Sequence, residues 1–70
     1  MNDLAGLVVG HRYRVSVQFQ GEFEGELKEI YIDTARFKFE RRYGVYYFGP
    51  WMNLVASQIA LIQDLTPVAT

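Results

Sequence analysis

The sequence predicts a mainly β domain, a small and strongly bent five-stranded antiparallel barrel with a short N-terminal helix. Three observations carry that expectation. From Arg14 to Phe39 apolar and polar residues alternate almost without a break, and a period of two puts successive side chains on opposite faces of a sheet. The alternation lapses only where a turn or an extra residue would be useful. The chain is also short, 70 residues, yet 50% hydrophobic and 16% aromatic with no cysteine. It must therefore close one core, near the lower size limit, without disulfides or thiolate metal sites.

Taken in order, Asn2-Asp3 can cap a helix within residues 1–10 that carries Leu4, Leu7 and Val8 on one face and stops at Gly10. Such a helix is too short to stand alone and must pack on the sheet. Strand one runs from Tyr13 to Phe19, and Gln20, Gly21 and Glu22 turn the chain so that Phe23 faces Phe19. That register pairs Val17 with Gly25 and Val15 with Leu27 inward, and Gln18 with Glu24 and Ser16 with Glu26 outward. The inward phase then jumps from Leu27 to Ile30, which calls for a β-bulge near Lys28-Glu29. Gly25 gives further freedom where the sheet must curl.

A turn at Asp33-Thr34 pairs Ile32 with Ala35 and Ile30 with Phe37. Outside, Glu29 then meets Lys38 and Tyr31 meets Arg36, a charge pair and a cation–π pair. Strand three ends at Arg41-Arg42, Tyr43-Gly44 makes the next turn, and strand four is Val45 to Phe48, closed by Gly49-Pro50. The stretch Trp51 to Leu65 admits two readings. Met52, Val55, Ile59 and Ile62 lie at helical spacing; alternatively a loop or single turn leads to a closing strand from Gln58 to Asp64. The strand is preferred, because a bent four-stranded sheet leaves open edges that need a partner. The whole is a single domain, 1–70, with the barrel in 13–65 and a loose tail in 66–70.

The inventory for catalysis is poor, and the chain reads as non-enzymatic. His11, the lone histidine, sits beside Arg12 and Arg14 with no nucleophile arranged against it. Glu22, Glu24 and Glu26 share one strand face and read as a solvated or basic-facing surface, not as a metal site. No glycine motif cradles a phosphate, and neither cofactor nor metal is expected. The net charge of −1 argues against a duplex-binding surface. With no span-length apolar stretch and no signal-peptide layout, the expected location is the cytoplasm.

The segment Arg36 to Trp51 interleaves basic and aromatic residues around one hairpin. Aromatic faces accept stacked bases while guanidinium groups hold phosphates, the chemistry of single-stranded nucleic-acid binding. The same residue types are enriched at subunit interfaces. Tyr46, Tyr47, Phe48 and Trp51 cannot all be buried by one strand, so an interface is the competing use.

The run L-A-G-L-V-V-G-H-R-Y-R-V-S-V-Q-F-Q-G-E-F-E-G-E-L, Leu4 to Leu27, resembles the opening of Sm-like proteins (the Sm, LSm and Hfq superfamily). Gly21, Gly25 and Leu27 stand where that family has its glycine turn, second glycine and leucine. The resemblance implies a bent five-stranded barrel of SH3-like shape capped by a helix. It also implies ring assembly through the edges of the fourth and fifth strands, and RNA binding in many members. The family's base-binding turn is incomplete here, with Asp33 but no following Asn, and Phe48 replaces the Arg before Gly49. RNA or single-stranded nucleic acid would then be held by Tyr31, Arg36, Arg41 and Arg42. A homo-oligomeric interface would use Tyr46, Tyr47, Phe48, Trp51, Ile59 and Leu61. The alternative is an SH3-like protein-interaction or scaffold module without nucleic-acid binding.

Overall fold

The structure, a computed structural model, describes residues 4–47 and 50–67. Six strands are formed: β1 Arg12–Val17, β2 Gly21–Ile30, β3 Thr34–Arg42, β4 Val45–Tyr46, β5 Trp51–Val55 and β6 Ile59–Asp64. A 3-10 turn, Ala56–Gln58, joins the last two. They form one antiparallel sheet in the order β4-β3-β2-β1-β6, and β5 pairs with the same edge of β3 as β4 does. The sheet is not closed into a barrel among the described residues.

The closing strand over Gln58 to Asp64 is present as β6, and the helix considered for Trp51 to Leu65 is not formed. Trp51–Val55, read as loop or helix, is instead a sixth strand, because Met52 and Leu54 alternate inward opposite Phe37 and Ala35. The expected N-terminal helix is absent from its described part, 4–10, which makes turns. Gly6 and Gly10 adopt φ of +88° and +96°, which a right-handed helix does not permit. Asn2-Asp3 lies outside the described residues. Gly10 N–H donates to Leu27 O at 2.8 Å and Leu27 N–H to His11 O at 3.0 Å, so this segment lengthens the β1–β2 ladder instead.

Both hairpin registers differ from the expected ones. Val17 pairs with Gly21 and Val15 with Phe23; Ile30 pairs with Ala35 and Leu27 with Phe37. Each change is an even number of residues, so the side chains of β1, of β2 and of β3 as far as Phe39 keep their expected faces. The cost falls on the loops. Phe19 and Ile32, expected inside, sit at the tips of the 18–20 and 31–33 turns and are fully exposed. The expected bulge is found at Lys28, between the Leu27 and Glu29 pairings. A second irregularity, at Glu40 on β3, reverses the phase so that Arg42 shares the inner face with Phe23.

The core gathers Tyr13, Val15, Val17, Phe23, Leu27, Ala35, Phe37, Phe39, Leu54 and Ile59, with Leu4 and Ala56 at its margin. Its aromatic rings run in a file. Phe37 stacks on Phe39 at 5.0 Å, Phe39 on Phe23 at 5.1 Å, and Tyr13 meets Phe37 edge-on at 6.3 Å. Each fully buried large side chain contributes about 1.5–3 kcal/mol. The Tyr13 hydroxyl is not wasted at the core margin, since it accepts from Val8 N–H at 2.9 Å.

Candidate functional site

The four expected nucleic-acid residues fall into two separate groups along β3. Tyr31 lies in the turn before it and Arg36 near its start, with Arg41 and Arg42 at its end; Arg41 is five positions beyond Arg36, about 17 Å along the strand. The first group is already engaged. Arg36 lies 3.5 Å from Glu29 and its guanidinium sits 4.5 Å over the Trp51 ring. The Tyr31 hydroxyl donates to Glu29, and that bond, with the carboxylate charge, raises the Tyr31 pKa above the ordinary phenol value. The expected Tyr31–Arg36 contact across the hairpin is therefore replaced by two contacts converging on Glu29. Lys38, 5.8 Å over Trp51, completes this end.

The second group surrounds the Tyr43-Gly44 turn, where φ is +55° and +81°, the positive pair that a tight hairpin with twisted strands requires. Arg41 donates to Gly44 O at 3.1 Å. Arg42 lies 5.5 Å over Phe23 and 5.2 Å over Tyr43, and donates to Gln20 O at 3.5 Å. Tyr43 ties this turn to the 18–20 loop: its N–H donates to Glu22 O at 2.8 Å and its hydroxyl to Gln20 O at 2.9 Å. Phe19 stands at the tip of that loop, although the alternation places it in the core. A signal for its exposure is present in the chain, since Gly21 can open strand two as well as belong to the turn.

Of the expected interface set, Tyr46 is exposed on β4, Trp51 is 51% exposed on β5 and Leu61 71% exposed on β6. Tyr47 is half-buried and meets Phe23 edge-on at 5.7 Å. Phe48 lies outside the described residues. Ile59 is a correction: it is fully buried in the core, because β6 begins there on its inner face. The exposed side of β1 and β6 forms an open groove of about 300 Å³ lined by Arg14, Ser16, Glu22, Leu61, Ile62 and Gln63.

Carboxylates elsewhere on the surface are committed to partners. Arg12 holds Glu40 through two guanidinium nitrogens, at 3.1 and 3.3 Å, and lowers its pKa. His11 Nδ1 lies 2.9 Å from Asp64, whose other oxygen accepts from Thr66 N–H at 2.8 Å; the His11 contact leads in lowering the Asp64 pKa. Among the described residues no cluster of three or more His, Asp or Glu side chains is placed to hold a metal, and no helix is long and apolar enough to cross a membrane. In comparison with known proteins, no family model, curated protein or solved structure matches this chain.

Proposed function

We propose that this chain is a non-enzymatic, Sm-like or SH3-like small barrel that self-associates edge to edge, as a ring, and binds single-stranded nucleic acid. The observation that carries the assembly is the pair of edge strands: β5 pairs only with β3, and β6 only with β1, among the described residues. Each presents an exposed apolar side chain, Val55 on β5 and Leu61 on β6. Pairing β5 of one copy with β6 of the next is head-to-tail, and such contacts close into a ring when the rotation allows. Such pairing would also cover edge strands, which otherwise invite indiscriminate association. Sedimentation at micromolar concentration tests this directly; a multiple of the 8.1 kDa chain mass is expected, and a monomer would remove the ring.

The nucleic-acid activity is supported by the basic and aromatic residues around β3 and by the likeness of Leu4 to Leu27 to Sm-like proteins. Binding of a single-stranded oligonucleotide that weakens with salt, and with Arg41→Ala plus Arg42→Ala, is the expected result. A protein-interaction module is the second reading, supported by the half-exposed Trp51 face flanked by Arg36 and Lys38. Partner capture abolished by Trp51→Ala but kept without the two arginines would favour it.

A further inference from the structure

Four of the seven lysines and arginines, Arg12, Arg14, Lys28 and Arg36, have a carboxylate within 3.5 Å. Arg41 and Arg42 have none among the described residues and donate only to main-chain carbonyls. The acidic residues around them are turned to other partners. Glu24, opposite Arg41 in the ladder, lies 3.5 Å from Arg14; Glu22 accepts from Ser16 at 3.4 Å; Glu40 is held by Arg12. A chain of net charge −1 thus places two guanidinium groups without a direct carboxylate contact at one hairpin.

Next to them stands Phe19, one residue from the Gln20 carbonyl that both Arg42 and Tyr43 contact. Its ring is fully exposed and its φ is +65°, a left-handed conformation that bulky residues rarely adopt. Neither burial nor backbone comfort accounts for a phenyl ring there. The loop is nonetheless braced, by the Tyr43 and Arg42 hydrogen bonds and by the Tyr43 ring lying against Gly21. A ring held out on a braced loop is pre-organised for a flat ligand, with little ordering left to be done on binding.

We propose that Phe19, Tyr43, Arg41 and Arg42 form the single-stranded nucleic-acid contact, with Phe19 stacking on a base and the two arginines holding phosphates. This rests on the nucleic-acid reading above and relocates it, from both ends of β3 to the paired loops at one end. A flexible single strand can bring a base to Phe19 and its phosphates to Arg41 and Arg42 together. Stacking on a base face is sequence-tolerant because every base has one, so the Phe19 contact itself does not select a sequence.

Anisotropy of labelled oligouridylate and oligodeoxythymidylate titrated with the full chain tests it. Phe19→Ala is expected to weaken binding by about 5- to 150-fold, the range for removing one stacked base. Phe19→Trp should bind at least as tightly as the parent. Arg41→Ala with Arg42→Ala should flatten the slope of log affinity against log salt by about 0.7 for each phosphate no longer neutralised. Lys28→Ala, at a cation paired with Glu26 and outside both groups, should leave binding unchanged, and circular dichroism of each variant separates a binding defect from a folding defect. Binding by the parent that is indifferent to Phe19→Ala, retained in full by Phe19→Leu, or abolished by Arg36→Ala would overturn this site while leaving the activity standing. Absence of binding by the parent at low salt would overturn both.

Discussion

A Cβ at Gly25 would lie 2.6 Å from Phe39 Cα and closer still to the Lys38 carbonyl. Glycine is needed there because the neighbouring β3 backbone, at its register shift, comes too close to leave room for a Cβ, more than because the strand must flex. Gly25→Ala is expected to cost about 1–3 kcal/mol through overpacking, read as a fall in the urea midpoint. Asp64 works by charge instead. Its hydrogen bond with His11 and that from Thr66 depress its pKa, so the stability it adds is present above the ordinary carboxylate pKa and is lost as pH falls through the depressed one. Asp64→Asn should therefore be less stable at neutral pH and lose less on acidification, as urea midpoints at neutral and strongly acid pH would show. The same scale holds what sequence could not reveal. Arg41, Arg42 and Tyr43 are legible as a basic and aromatic cluster, but Phe19 joins them only through the cross-loop bonds to Gln20.

Among the elements, alternation settles which face each residue takes and leaves register open. Val17 opposite Gly21 and Val17 opposite Gly25 both keep valine inward, so the pattern cannot separate them; turn geometry does. The Lys28 bulge is legible because a bulge breaks the period itself, whereas the Glu40 irregularity is hidden by polar residues on either side of it. In β5 the pattern Trp51 to Val55 satisfies both a strand and a helix template, and only the ladder with β3 decides. β6 offers a clean check of its assigned faces. Ile59→Ala should cost about 2–5 kcal/mol as a core truncation. Leu61→Ala should change stability by at most about 0.5 kcal/mol at low protein concentration, with thermal melts of the two variants side by side as the measurement.

For the whole molecule, a 70-residue chain has limited surface to bury, and assembly would supply more. If copies pair through β5 and β6, folding is linked to concentration and the melting temperature should rise with it. Leu61→Lys, placing a charge on the β6 edge, should abolish that rise and reduce the native mass while circular dichroism stays strand-like. A melting temperature independent of concentration in the parent would sink the linkage.

The extra residue in β2 has one more consequence. Leu27 pairs with Phe37, Glu29 with Arg36 and Ile30 with Ala35, so Lys28 alone has no opposite number. Deleting it would let those pairs close up with every side chain on its present face. A one-codon deletion there should thus straighten the strand and leave the hairpin register intact. Bend and pairing are separable at this point of the chain, the local bend resting on one position that natural insertion and deletion could add or remove.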